Sequence, residues 1–385
     1  MFFWFGWILF GLIFIWTFLP VVWFVGRRLH PATTSAGRSG DKPLPRVSII
    51  VPACNEERAV GRALNSLLTL DYPDYEVLAV NDRSTDRTGA IMEEVAAQHA
   101  HCQVLHIEQL PDGWLGKNHA MHKAAQAATG DLLLFTDGDV IHEPNALVSA
   151  VRYLREQQLQ HLCLLPRMIK GSFLEDAVVA FFGLAFSIGQ QVHLIQTSMP
   201  FSYAGVGAFN LLDAEFYRSF GGHQPLALDV IDDAKLGKLV KRHGGRQDFL
   251  GAPDLLSLRW YHSLWDVITG LEKNGFAALG YSLLAVLMST LVFLGTMIFP
   301  YVGAIWGGWP DGSGFLAAVL WWHLMYAVVV LSFSGNALLI FLFPVAASLI
   351  SFAFLRSAWK TVRQGGVRWR TTFYPLALLK SGIYK

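Results

Sequence analysis

Leu132-Leu133-Leu134-Phe135-Thr136-Asp137-Gly138-Asp139-Val140 is the stretch that decides the fold. The apolar run 132–135 reads as a buried strand of a mostly parallel sheet, and two carboxylates follow it with a glycine between them. At strand spacing Asp137 and Asp139 point to the same side. Gly138 lets the backbone turn and approach a ligand closely. Like charges this close repel, so the pair calls for a cation. Mg²⁺ or Mn²⁺ is the simplest choice, with a diphosphate as its natural partner. Taken alone, an Asp-x-Asp is equally a polar turn after a strand, so its context decides.

Upstream, residues 47–51 read as a strand followed by Pro52-Ala53-Cys54-Asn55-Glu56-Glu57, and a helix pattern runs over 57–70. A second strand, 76–80, ends in Asn81-Asp82-Arg83-Ser84-Thr85-Asp86, with a helix over 88–99 behind it. A strand at 104–107 and a helix at 118–128 complete the alternation. Strands alternating with helices predict an α/β domain on a parallel sheet. Such sheets bind ligands beyond the carboxyl ends of their strands. Asn55-Glu56, Asp82 and Asp137/Asp139 therefore converge on one edge.

Downstream, 172–199 is apolar but broken by Glu175, Asp176, Gln190, Gln191 and His193. It reads as one or two helices at the membrane surface, partly under the catalytic domain, or equally as core helices. Residues 202–210 predict a small-residue turn or strand around Gly205 and Gly207. A short helix over 213–220 ends at Gly221-Gly222. Val230-Ile231-Asp232-Asp233 open a helix through about His243, where acidic residues also suit the helix dipole as simple caps.

The 385 residues suffice for two or three structural units. Hydrophobic residues make up 53% and charged ones 15%, too apolar for a purely soluble protein. A net charge of +1 without a basic, aromatic-laced stripe gives no reason to expect nucleic acid as a partner. Cys54, Cys102 and Cys163 lack paired spacing, which fits a reducing compartment and argues against disulfides and zinc. His99, His101 and His106 have no matching ligands.

Residues 1–25 are long and apolar enough to cross a bilayer, with no charge before Arg27-Arg28. A cleaved signal would need a basic start and a small-residue cleavage site, and neither is visible. The basic residues that follow place the next domain in the cytoplasm. The expected layout is a transmembrane helix at 1–26, a linker at 27–45, and a cytoplasmic domain at 46–273. Membrane segments at 274–356 and a basic tail at 357–385 follow. Three trailing spans, 276–298, 315–331 and 337–354, added to the leading one would put that tail outside, against the positive-inside rule. One segment is then re-entrant or interfacial, or the tail is an exception; the reading taken is a cytoplasmic tail.

In order, the motifs from Val47 to Glu57, Val80 to Asp86, Gly116-Lys117, Ala128-Thr129-Gly130-Asp131, Asp137-Gly138-Asp139, Asp232-Asp233 and Arg259-Trp260 resemble a family 2 glycosyltransferase of GT-A fold. The resemblance covers about 47–273 and the membrane layout. Membrane-bound ceramide glucosyltransferases and bacterial hopanoid- and carotenoid-associated glycosyltransferases are the most similar in arrangement. Gly113-Trp114-Leu115-Gly116-Lys117 and Trp369-Arg370-Thr371-Thr372-Phe373-Tyr374 particularly resemble the bacterial group.

The resemblance implies that Pro52, Asn55, Glu56, Asp82, Lys117 and Asp137 hold the donor, with Asp82 on the uracil or ribose side and Lys117 near the diphosphate. It implies a divalent metal on Asp139 and Asp137. Asp233, or its neighbour Asp232, is the implied general base. Arg259-Trp260 stand on the acceptor or diphosphate side. Their motif departs from the family at Leu256, where a Gln or Arg is usual.

The function implied is inverting transfer of one sugar from a UDP-sugar to a hydroxyl of a membrane lipid. Polyprenyl phosphate is an alternative acceptor, with Arg259, Arg368 and Arg370 to receive it. A non-catalytic membrane scaffold is the alternative outside enzymology. A nucleotidyltransferase would want a glycine-rich basic loop after the first strand, and 52–55 is not one.

Overall fold

The computed structural model describes residues 1–32, 43–369 and 372–383. Most of the expected linker, together with Arg370, Thr371 and Lys385 of the tail, lies outside them. The chain clusters into two compact units. The sheet unit holds Arg27–Ile169 and Leu194–Trp260, and the helix unit holds Met1–Gly26, Lys170–His193 and Tyr261–Lys380.

In chain order the first elements are α1 (Phe2–Gly26), β1 (Val47–Ala53), α2 (Val60–Leu68), β2 (Tyr75–Asp82), α3 (Thr88–Ala96), β3 (Cys102–Ile107), α4 (Gly116–Ala127) and β4 (Leu132–Phe135). Next come β5 (Ile141–His142), α5 (Ala146–Glu156), β6 (His161–Leu165), β7 (Arg167–Met168), α6 (Phe173–Gly189), β8 (Asn210–Asp213), α7 (Ala214–Ser219), α8 (Asp232–Arg242), β9 (Gln247–Gly251) and β10 (Leu256–Leu258). The last stretch holds α9 (Leu264–Ala278), α10 (Leu283–Phe293), α11 (Phe299–Gly307), α12 (Ser313–Phe333) and α13 (Phe343–Gln364), then the hairpin β11 (Gly366–Trp369) and β12 (Thr372–Pro375).

The main sheet runs β3-β2-β1-β4-β8-β6-β9, with β8 antiparallel to both neighbours and the other pairs parallel. Its central strands β1, β2 and β4 carry apolar runs because both of their faces are covered. Ile49 and Val51 of β1, Val77 and Ala79 of β2, and Leu132 and Leu134 of β4 enter one core cluster. Ile50, Leu78, Val80, Leu133 and Phe135 enter the other. Alternation along each strand thus feeds two cores. Glu76 pins the strand starts: its carboxylate accepts from Ser48 Oγ at 2.6 Å and from the Thr129 N–H at 2.8 Å. Gly130 N–H donates to Ser48 Oγ at 2.8 Å, so the 128–131 motif is a staple under β4.

A small sheet, β5-β10-β7, closes the unit. Leu256 is buried in it, opposite His142, which is why an apolar residue stands where the related motif is polar. The helix unit contains four stretches long and apolar enough to cross a membrane: Phe2–Gly26, Leu283–Gly307, Ser313–Phe333 and Ala337–Gln364. Expectation and structure differ over 172–199. Residues 170–193 cluster with the apolar helices, where α6 packs against α1, α12 and α13 rather than belonging to the sheet domain.

Candidate active site

The site lies in the sheet unit, beyond the carboxyl ends of β1, β2 and β4. The strand ends at Phe135, and 137–140 form a turn with the Val140 N–H 3.4 Å from the Asp137 carbonyl. A turn, not strand alternation, therefore brings Asp137 and Asp139 together. Asp137 N–H donates to the Gly207 carbonyl at 2.9 Å.

Helix α4 delivers Lys117 from its first turn. Lys117 Nζ lies 2.7 Å from Asp137 Oδ1 and 3.8 Å from Asp232 Oδ2. Asn118, fully buried beside it, donates to the Leu226 and Asp229 carbonyls, the latter at 2.9 Å. That bond fixes the start of α4 against the loop leading into α8.

Asp232 and Asp233 open α8, and Ile231 before them makes no side-chain cap. Asp233 Oδ1 accepts from the Ala234 N–H at 2.7 Å, while Oδ2 reaches back to the Gly207 N–H at 2.9 Å. Capping alone does not account for that second bond. Gly207 clips the two acidic stretches together through both of its backbone groups. A Cβ there would run into the Asp137 carboxylate, so only glycine lets this loop approach.

Charge is unbalanced here. Burial acts to lower the Lys117 pKa, but Asp137, Asp232 and Asp233 outweigh it and hold the ammonium well above the ordinary lysine range. Burial, then the Asp137 and Glu56 carboxylates, push Asp139 up to about 7. Burial also raises Asp233, against the pull of Lys117. Two carboxyl groups with raised pKa around one lysine form an oxygen-rich, cation-poor centre.

In the loops after β1 and β2, Asn55 and Arg83 both adopt left-handed backbone, with φ of 55° and 54°. Non-glycine residues seldom do so, and such strain clusters at functional sites. Asn55 Oδ1 accepts the Thr85 N–H at 2.8 Å, and the Glu56 N–H donates to Thr88 Oγ1 at 2.8 Å, tying the loops after β1 and β2 together. Asp82 is gripped by the Arg83 fork at 2.7 and 3.0 Å, so its carboxylate already has a cation of its own. A Cβ on Gly116 would strike that pair, which explains the glycine before Lys117.

A small pocket is lined by Pro52, Lys117, Asp137, Asp232, Asp233 and the buried His223. His223 Nδ1 lies 2.6 Å from the Tyr217 hydroxyl. Burial, then Lys117 and His122, lower its pKa to about 3, so it is neutral. Arg259 and Trp260 do not line this pocket. Arg259 donates to the Ile169 carbonyl at 2.9 Å, and Trp260 packs against the sheet core. Gly207, Asn118 and His223 escaped sequence reading as site residues. Only Gly207, in its small-residue stretch, left a signal.

Residues 48–213 match Glycosyl transferase family 2. The 4,4'-diaponeurosporenoate glycosyltransferase of Staphylococcus aureus is 29% identical over 196 residues, half of each chain. A probable glycosyltransferase of Bacillus subtilis is 33% identical over 112 residues, 29% of this chain and 26% of its own. The chain thus spans half or less of the length of these curated relatives. A mannosyltransferase of Pyrobaculum calidifontis, solved with GDP-Man and Mn²⁺, is 18% identical with a TM-score of 0.55, over 92% of this chain and 96% of its own. That likeness shows a shared fold. With its strand-end motifs inside the matched stretch and its fold shared with that structure, the segment 48–213 is a glycosyl transferase family 2 domain on a GT-A fold.

Proposed function

We propose that the sheet unit moves one sugar from a nucleotide-sugar to a hydroxyl of a lipid acceptor, with inversion. The observation that carries this reading is Lys117 set among Asp137, Asp232 and Asp233, beside a half-buried Asp139. The acceptor oxygen attacks the anomeric carbon, the carbon–oxygen bond to the diphosphate breaks, and the leaving oxygen keeps the electron pair. Asp233 takes the acceptor proton. Its raised pKa makes it a stronger base, and the Gly207 and Ala234 N–H groups orient it. Asp232 is the alternative base. Lys117 offsets negative charge growing on the leaving group.

Among the described residues no three His, Cys, Asp or Glu side chains converge as a ready metal cage. A divalent ion of the magnesium type needs only one or two carboxylates when a diphosphate supplies the rest. The crowded Asp137–Asp139 pair fits that role, and a cation there would neutralise diphosphate charge. The uridine of the donor rests on the resemblance alone. The lipid acceptor draws support from the relative named for diaponeurosporenoate. Arg259, a candidate for the polyprenyl-phosphate reading, donates through Nη1 to the Ile169 carbonyl and does not line the pocket.

Asp233→Asn tests the assignment. Transfer should fall by at least about 10³-fold while donor binding stays within a few-fold of wild type. Retained transfer would move the base to Asp232, where Asp232→Asn should then abolish it.

A further inference from the structure

The contacts within the helix unit define two ends. At the first, Gly6 touches the Gly314 backbone, Phe2 stacks near Phe315 (4.7 Å) and Phe5 near Phe299 (6.2 Å). At the second, Phe24 stacks on Phe333 at 5.6 Å. Between them Trp321 Nε1 donates to Thr17 Oγ1 at 2.9 Å, and Trp322 Nε1 to the Thr296 carbonyl at 2.8 Å. Helix α1 therefore runs parallel to α12, and the stretch 283–307 runs antiparallel to both. Each is about 30 Å long or more, enough to cross the apolar core.

The remaining long apolar stretch behaves differently. It starts at the second end, directly after Phe333 and Ser334. A 3₁₀ stretch, Ala337–Leu342, brings it to Phe343, whose ring packs on Trp322 (5.7 Å), His323 (5.5 Å) and Phe181 (5.8 Å). Trp322 lies about 16 Å of helix from Phe333, so Phe343 sits near mid-depth. From there α13 climbs about 20 Å to Arg356. Arg356 and Lys360 both grip Glu272 of α9, and Ser357 Oγ accepts the Phe276 N–H at 2.8 Å. Helix α9 lies just before Leu283, where the antiparallel span begins at the second end. The stretch therefore finishes at the end where it started.

That end is basic and aromatic. Lys273 lies over Trp369 (4.3 Å), Arg356 over Trp265 (5.0 Å), Arg363 over Trp359 (5.1 Å) and Arg368 over Phe373 (5.9 Å). Trp265 and Trp359 are exposed, as in an interfacial aromatic belt. Glu272 offsets Arg356 and Lys360, whereas among the described residues no carboxylate pairs with Arg363 or Arg368. Arg27-Arg28 follow α1 at the same end. Among the described residues, the first end has Asp311 between α11 and α12 and no lysine or arginine.

We propose that residues 334–364 form a re-entrant segment, and that the membrane face to which it returns meets anionic phospholipid headgroups through Arg363 and Arg368. The chain then crosses three times, and the basic stretch shares the face of Arg27-Arg28. The positive-inside conflict in the sequence disappears.

Sided labelling tests the path independently of any activity. Cysteines at His262, Asp311 and Gln364, introduced singly with Cys54, Cys102 and Cys163 replaced by serine, are treated with an impermeant maleimide in sealed membrane vesicles. His262→Cys and Gln364→Cys should label from the same side, and Asp311→Cys from the other. Gln364→Cys labelling together with Asp311→Cys would overturn the re-entrant path. For the headgroup surface, Tm is read in nanodiscs of phosphatidylcholine with and without phosphatidylglycerol. The anionic lipid should raise Tm by several degrees, Arg363→Gln with Arg368→Gln should remove most of that gain, and inorganic phosphate in neutral discs should not reproduce it. Equal Tm in both lipids, or full reproduction by phosphate, would overturn the headgroup assignment.

Discussion

Two buried charge clusters in this chain are mirror images. In the sheet unit, one cation, Lys117, faces Asp137, Asp232 and Asp233. In the helix unit, one carboxylate, Glu272, faces Arg356 and Lys360. The first has a surplus of negative charge and lies in a pocket at strand ends, which suits a metal-bound diphosphate. The second cross-braces α9 and α13 below a basic, aromatic surface.

Removing the minority charge of each cluster should separate the two roles. Lys117→Met should lower kcat/KM by about 10³-fold, the scale of losing one group that stabilises a leaving oxyanion. An effect under tenfold would take Lys117 out of the reaction. Glu272→Gln should leave transfer chemistry alone and cost stability. Breaking a fully buried pair costs about 3–5 kcal/mol. Side-chain exposures of 27% for Arg356 and 38% for Lys360 reduce the expected loss to about 2 kcal/mol, read as a lower Tm. Full stability with lost activity would make Glu272 part of the reaction and break the comparison.

The smallest effect per residue concerns pH. Burial lowers His142 and His161 to about 4 and His223 to about 3, so all three are neutral in the folded sheet unit. Their unfolded counterparts bind protons below about 6.5. The stability they support is complete above that value and drains as pH falls toward 4, at about 1 kcal/mol per histidine per pH unit. Tm should drop between pH 7 and 5, and His161→Gln should flatten the slope. A Tm independent of pH across this window would contradict neutral burial.

The sequence exposed the fold where physics repeats along the chain. The runs at the centres of β1 and β2 and the whole of β4 are apolar because each strand feeds two cores, and Leu132–Phe135 was legible to the residue. The helix expected over 57–70 starts only at Val60, because Asn55 takes a left-handed turn that no periodicity announces. Strands β6, β8 and β9 were unread, since their pairing joins residues far apart in the chain. In the site, the carboxylates stood out as motifs, whereas Gly207 acts through its own backbone groups and Asn118 on backbone carbonyls, with partners more than 20 residues away. Arg259 matched a motif yet binds Ile169, which spacing alone could not reveal. Residues 337–354 carry the composition of a span, and the contacts on which the re-entrant proposal rests, those of Phe343 and Glu272, are ones that hydropathy does not contain.

The most direct test of the central claim is binding of nucleotide-sugars to the full chain in detergent, with Mn²⁺, with Mg²⁺ and with chelator. The account predicts that one UDP-sugar binds and slowly hydrolyses only when a divalent ion is present. Equal behaviour with chelator, or no binding of any nucleotide-sugar under any condition, would contradict the reading of Asp137, Asp139 and Lys117 as a diphosphate site.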